Sequence, residues 1–404
     1  MFNFQSGIGT QVISEILSLR YATNQDLIFP KLHPEDFSST NQSPSTDEIE
    51  NLMLSYLKET IPKSSKISIA LSGGVDSTIV LAMLTKANLD LEIDALSIKF
   101  SNSVDETILA SQIAERFDVP HRVICLDNYL EELPKAISIT GLPFWDLHFY
   151  HVAKNAKSHS NILISGDGGD ELFGGYTFRY EKFLSLVTSN STPQEKTEAY
   201  LKCHERDWVP DQKDLFSENM NFSWEHIHKK IIPYFDNSLP LLEQVFLADY
   251  NGKLMYNWAP LFAKITNHFD EKLITPILSP KMITYATAIP SKYKYDSQNN
   301  IGKLLLRKIL SKCVEPSLTQ SKKQGFTVDT KNLWTSYGKR ICKQYLQDGL
   351  IVQENLINAD WINKYIDIDD LEIRYINKFL GLLAFEVWFR LFETKEMDPN
   401  EKLI

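Results

Sequence analysis

The chain has 404 residues, more than one compact core usually holds, with 43% hydrophobic and 23% charged residues and a formal net charge of -10. A chain this acidic is poorly suited to a broad phosphate-backbone surface, which needs clustered Lys and Arg, so no nucleic-acid partner is expected. No apolar run is long enough to span a bilayer, the start Met1-Phe2-Asn3-Phe4 lacks a secretory pattern, and Cys125, Cys203, Cys313 and Cys342 form no C-x-x-C pair; together these predict a reduced, cytoplasmic protein with no membrane contact and no zinc ribbon.

In chain order, residues 1–47 read as an extension and linker, with a short helix over 12–19 and a polar stretch over 37–44. Ser45 followed by Glu48 is a capping-box pattern, and Ile49, Leu52, Met53, Tyr56 and Leu57 then recur at helical spacing. Over 48–180 strands and helices alternate. Strands are predicted over 67–71, 93–100, 121–126 and 161–165, and helices over 78–84, 106–117 and 145–156. This alternation predicts an α/β fold with a doubly wound parallel sheet, whose ligands sit beyond the carboxyl ends of the strands. Residues 181–404 lose the strand signal, and a mainly helical region is predicted, with helices over 241–254, 303–310 and 375–392.

Two glycine-rich runs fall at predicted strand ends. In Leu71-Ser72-Gly73-Gly74-Val75-Asp76-Ser77 a buried strand stops, the glycine pair permits close backbone approach, and a helix begins whose first N–H groups face the loop. An anion suits that place, and Asp76 beside it calls for a cation, assigned to magnesium. The run is not the common G-x-x-x-x-G-K-[ST] phosphate loop. The second run, Ser165-Gly166-Asp167-Gly168-Gly169-Asp170-Glu171-Leu172-Phe173-Gly174-Gly175-Tyr176, crowds three carboxylates that a metal or basic groups must offset. A calcium loop fits poorly, because the acids there alternate regularly and end at a distant Glu.

The pair of runs resembles the synthetase domain of asparagine synthetases and their relatives, the β-lactam synthetases and lasso-peptide cyclases, within the ATP pyrophosphatase superfamily of adenine nucleotide α-hydrolase-like folds. Lys303-Leu304-Leu305-Leu306-Arg307 and Lys322-Lys323-Gln324-Gly325-Phe326 look like two further motifs of that branch, so the resemblance covers about residues 48–392. It implies adenosine contacts at Leu71, Ile98, Ser165 and Gly166, and a pyrophosphate cradle of Ser72, Gly73, Gly74 and Ser77, with Lys303 as a further phosphate contact. It also implies magnesium ligands at Asp76 and Asp170, and catalytic roles for Lys323 and Asp167, the latter standing where the family has Glu or, in β-lactam synthetases, Tyr. The implied reaction uses ATP and Mg2+ to activate a small-molecule carboxylate as an acyl-adenylate, which an amine or ammonia then converts to an amide.

Two departures stand out. The chain starts without the catalytic cysteine and glutaminase part of the family's glutamine-dependent members, so ammonia is expected free, from a separate glutaminase partner, or as an amine already on a substrate. The family's E-x-R-x-P-F-L-D run reads here Lys272-Leu273-Ile274-Thr275-Pro276-Ile277-Leu278-Ser279, which puts aspartate in doubt as the substrate. An intramolecular cyclase and a non-catalytic ATP-binding paralogue remain as alternatives. A tRNA-modifying role lacks a cysteine pair or basic run. His148 and His151 are read as lining a helix face and not sharing a metal, with Trp145, Asp146 and His148 as substrate-selecting residues.

Overall fold

The computed structural model describes residues 4–37, 43–100, 107–204, 208–315, 318 and 329–404. Helix α1 (Thr10–Leu19) precedes α2 (Thr46–Thr60), β1 (Lys66–Ala70), α3 (Val75–Lys86), β2 (Glu92–Phe100), α4 (Thr107–Arg116), β3 (His121–Leu126), α5 (Leu133–Thr140), α6 (His148–Ala156) and β4 (Ile162–Ile164). Then come α7 (Gly169–Phe173), α8 (Thr177–Leu186) and α9 (Pro193–Cys203). Of the later elements, α10 (Leu241–Asp249), β5 (Lys272–Ile274), α11 (Pro280–Thr287), α12 (Leu304–Leu310) and α13 (Ile373–Phe392) matter to the site.

The sheet has five strands in the order β3-β2-β1-β4-β5, and every pairing is parallel. The two-residue period of a strand sends neighbouring side chains to opposite faces. Ile67, Ile69, Ile93, Ala95 and Ile164 accordingly join one buried cluster with α3 and α4, while Ala70, Leu96, Ile98 and Leu163 join another with α5, α6 and α13. Helices therefore cover both faces, as doubly wound sheets require. The chain steps from β1 outward to β3, then returns past β1 to β4. The strand order reverses between β1 and β4, and the crevice at that point is where such sheets take ligands.

The predicted elements appear with small shifts, apart from three differences. Ser45 caps α2 by accepting from the Glu48 N–H at 3.3 Å, but the Ser45 N–H donates to the Tyr285 hydroxyl at 2.9 Å, so tertiary packing replaces the second half of the box. No strand was expected beyond residue 180, yet β5 extends the sheet. Its three residues are too few to display a period, and their state is imposed by pairing with β4. The helix expected over 241–254 continues through a π-helical stretch, Tyr250–Trp258, into a further helix, Ala259–His268. The aromatic run near the chain's end, expected as core, is buried: Phe385, Trp388 and Phe389 pack within α13's cluster. Among the described residues no helix is long and apolar enough to cross a membrane.

Candidate active site

Both glycine-rich loops leave adjacent strands at the switch point, the first after β1 and the second after β4. In the first, Ser72 and Ser77 fold the loop onto itself. The Ser72 N–H donates to Ser77 Oγ at 3.1 Å, and the Gly74 N–H donates to Ser72 Oγ at 3.2 Å. Gly74 is the N-cap of α3 and offers no side chain to it. In the second loop, Ser165 Oγ donates to Asp167 Oδ2 at 2.6 Å. The loops then meet. A Cβ on Gly169 would strike the Asp76 carboxylate, and one on Gly175 would strike Asp170 and the Lys303 side chain, so only glycine permits this approach.

Lys303 closes the meeting point. It stands at the N-terminus of α12 with φ of 58°, a left-handed conformation that a lysine adopts at a cost, and its N–H donates to Phe173 O at 3.1 Å. Its ammonium bonds to Asp76 Oδ2 and lies 2.6 Å from Asp170 Oδ1. Burial alone would lower the Lys303 pKa, but Asp170 and Asp76 outweigh it and hold the ammonium well above its usual range. One buried cation thus sits between two carboxylates from different loops.

The other acids of the second loop behave differently. Burial pushes the Asp167 carboxyl up, against opposing help from Ser165 and His148. Burial, reinforced by Asp170, raises Glu171 to about 7, although the Tyr176 hydroxyl donates to its Oε1 at 2.6 Å. The Arg179 guanidinium lies 3.7 Å over the Tyr176 ring and donates to Asp249 Oδ1 at 2.9 Å, and the Tyr200 hydroxyl donates to the same oxygen at 2.8 Å.

The two loops, Tyr176 and Arg179 border a cavity of about 600 Å3. Ser72, Asp76, Ser77, Ser165, Gly166, Asp167 and Asp170 line the side formed by the two loops. Leu71 and Ile98 instead have their side chains in the two core clusters, Gly73 and Gly74 lie in the first loop, and Lys303 is buried at the junction of the two loops. Lys323, with the whole Lys322–Phe326 run, lies outside the described residues, as do Asp105 and Glu106.

The far side of the cavity carries Trp145, Asp146 and His148, together with residues that no motif singled out: Arg20 from the end of α1, and Lys253 and Trp258 from the π-helical stretch. Asp146 Oδ1 accepts from the Tyr129 hydroxyl at 2.8 Å and pairs with His148 Nδ1 at 2.7 Å. Burial would raise the Asp146 carboxyl, but His148 and Arg20 hold it well below the usual carboxylate range. His148 in turn is raised, because Asp146 outweighs its burial. His151 lies 3.3 Å from the Tyr129 carbonyl, and burial lowers it to about 4. The two histidines have separate partners, and the described residues contain no cluster of three or more metal-ligating side chains.

The altered 272–279 run supports the second loop from beneath. Leu278 packs where a Cβ on Gly168 would stand, Ile274 is buried in the sheet, and Ser279 is the buried N-cap residue of α11.

A parallel sheet wound on both faces, with two glycine-rich loops meeting over its switch point, defines the doubly wound α/β class that takes nucleotides in that crevice. Within that class the chain belongs to the asparagine synthase family, whose profile matches residues 51–390. It is 26% identical over 397 residues to asparagine synthetase [glutamine-hydrolyzing] 1 of Bacillus subtilis, covering 88% of this chain and 60% of that protein. It is 21% identical over 411 residues to a putative asparagine synthetase [glutamine-hydrolyzing] of Mycobacterium bovis, covering 92% and 61%. The chain therefore spans about 60% of the length of these relatives. Among solved structures it resembles an NMN synthetase from Francisella tularensis at 16% identity, covering 58% of this chain and 99% of that one, with a TM-score of 0.26, too low to bear on function.

Proposed function

We propose that the chain is an ATP-dependent, AMP- and pyrophosphate-forming carboxylate–amine ligase. The observation that carries this reading is the Lys303 ammonium held between Asp76 and Asp170, at the point where the two loops meet over the cavity. A triphosphate laid along Ser72–Ser77 would face the first N–H groups of α3, the arrangement that suits phosphate. Magnesium commonly uses one or two carboxylates plus substrate phosphates, and Asp76 and Asp170 fit that demand. Bound there, it would neutralise charge on the phosphates. Lys303 would hold the two carboxylates together and add positive charge beside the leaving pyrophosphate.

On this reading a carboxylate oxygen attacks the α-phosphorus, the bond to the β-phosphate oxygen breaks, and pyrophosphate leaves. An amine then attacks the acyl carbon and AMP departs. Lys323 supplies fixed positive charge to the oxyanions of both steps, the kind of preorganised stabilisation that exceeds what water offers. Asp167 sits at the border between the nucleotide side and the Trp145–His148 side, suitably placed to orient the incoming groups. The nitrogen arrives as ammonia, free or released by a glutaminase, or as an amine on a substrate. AMP release that requires added ammonium separates the first two sources from the third.

The test is ATP–pyrophosphate exchange by purified protein with magnesium across a carboxylate panel. Exchange that disappears in Lys323→Ala, with nucleotide binding kept, supports the reading. Tight ATP binding without exchange on any carboxylate would leave a nucleotide-binding paralogue in its place.

A further inference from the structure

A second pocket, mainly apolar and about 50 Å3 in volume, lies behind the large cavity. The two share seven residues, among them Arg20, Trp145, Asp146, Phe149 and Asn377, so the smaller opens off the substrate side of the larger. Its inner wall comes from Ile16 and Leu17 of α1 and Gly381 of α13. Helix α1, which supplies Ile16 and Leu17, lies outside the stretch matched by the family profile, whereas Gly381 lies within it. The volume suits a group of about three or four heavy atoms.

The pocket is not purely apolar. Asn377 is only 4% exposed, and neither its amide nitrogen nor its amide oxygen has a hydrogen-bond partner among the described residues. Asn257, 7% exposed, donates to the Arg20 carbonyl at 2.6 Å, while its Oδ1 has no partner. Buried amides in this condition are costly and uncommon, and a ligand that completes their bonds is one way they are retained. At the mouth the Arg20 guanidinium stands 5.0 Å over the Trp145 ring, and Asp146 lies beside it.

We propose that this pocket is a specificity subsite for an α-amino-acid-type substrate whose short side chain has an apolar stem and a neutral hydrogen-bonding end, of carboxamide or hydroxyl type. The side chain enters between Leu17 and Phe149 and bonds to Asn377 and Asn257. The α-carboxylate meets Arg20, and the ammonium meets Asp146. The inference rests on the ligase reading for its place in a reaction, but the binding it predicts needs no turnover. A site built to hydrogen-bond a substrate discriminates strongly against an isostere lacking the polar group, because its own groups then stay unpaired.

The experiment uses isosteric pairs, asparagine against leucine and threonine against valine, in titration calorimetry without nucleotide and in ATP–pyrophosphate exchange. The expected result is at least about tenfold preference for the polar member of each pair. That preference should vanish in Asn377→Leu, which should also melt higher than wild type. Leu17→Phe, which fills the pocket without touching a polar group, should abolish binding of all four, with ATP affinity unchanged. If the amino acid is the carboxylate donor, it drives exchange alone; if it is the amine acceptor, it releases AMP only alongside another carboxylate. Binding with the predicted preference but no exchange keeps the subsite and removes the ligase reading. Exchange that ignores side-chain polarity, or a preference that survives Asn377→Leu, overturns the subsite. So does failure of all four amino acids to bind.

Discussion

Lys303 Nζ lies 2.6 Å from Asp170 Oδ1 while bonding also to Asp76, and so it joins loops that leave different strands of the sheet. A buried cation between two acids stabilises by pairing charges that would otherwise repel. Removing it takes away the cation that bonds to both, and breaking a buried pair in this way typically costs about 3–5 kcal/mol. We expect Lys303→Met to lose stability on that scale. With the ammonium gone from between Asp76 and Asp170, millimolar magnesium should raise the melting temperature of Lys303→Met more than that of wild type. Calorimetry with and without magnesium chloride decides this. An equal magnesium shift in both proteins would mean that Lys303 does not compete with the ion, and no shift in either would mean that the two carboxylates are not a cation site.

Asp146 and His148 form the other charged pair of the cavity, and their shifts have opposite signs. Asp146 is held below the carboxylate range, so its contribution is present above about pH 4 and is lost as the carboxyl protonates at lower pH. His148 is raised, so its contribution is fully present below about pH 6.5 and is lost as pH rises through the higher folded value. The pair therefore stabilises most between these limits. Asp146→Asn should lower the His148 pKa in an NMR titration of the histidine ring protons, and should cost more stability at pH 6 than at pH 9. A His148 titration curve unmoved by the substitution would show that Lys253 and Asp167, the other charges that act on it, set its behaviour.

The two glycine-rich loops were legible for a physical reason. Strand, glycine pair and helix start must be contiguous to aim backbone N–H groups at one point, so Ser72–Ser77 and Ser165–Tyr176 carry their geometry in short runs. The far side of the cavity is assembled from distant segments. Arg20 follows α1 with nothing around it that marks a site, and it reaches the cavity because α1 packs against α13. Lys253 and Trp258 lie on a π-helical stretch inside what reads as an ordinary helix, and such stretches have no residue signature of their own. Strand β5 was missed likewise, since three residues take their state from the neighbour they pair with. Tyr176 was within reach: it ends the second glycine-rich run, five residues after the Glu171 it bonds.

Glu271, just before β5, offers a test away from the site. It is 6% exposed, and neither carboxylate oxygen has a hydrogen-bond partner among the described residues. Burial raises it to about 8, with Lys157 opposing only in part. A raised carboxyl favours the protonated fold, so stability is kept below the ordinary Glu range near pH 4.5 and is lost as pH climbs through about 8. Glu271→Gln removes the ionisation at nearly constant shape. It should leave the melting temperature near wild type at pH 5 and raise it at pH 9, where the gain in unfolding free energy is about 1 kcal/mol after allowance for solvent screening. Parallel melting curves at the two pH values, with no gain at pH 9, would refute it.

Arg179 and Asp249 form a buried pair behind the second loop, where each limits the cost of burying the other and Arg179 also covers the Tyr176 ring. Burial raises the Asp249 carboxyl even with Arg179 lowering it, so the carboxylate depends on its partners. Asp249→Leu leaves the guanidinium buried without its carboxylate, and Arg179→Met does the reverse. Each should cost about 3–5 kcal/mol in urea unfolding. The double substitution removes both charges and should cost clearly less than the sum, since neither penalty then applies. Stability recovered in this way should not bring activity with it, because Met does not reproduce the planar cation over Tyr176, whose hydroxyl holds Glu171 at the cavity wall. Additive stability losses would mean that Tyr200 and His204, which also bond to Asp249 and Arg179 respectively, satisfy each charge on their own. Full pyrophosphate exchange in the double variant would separate this pair from the site altogether.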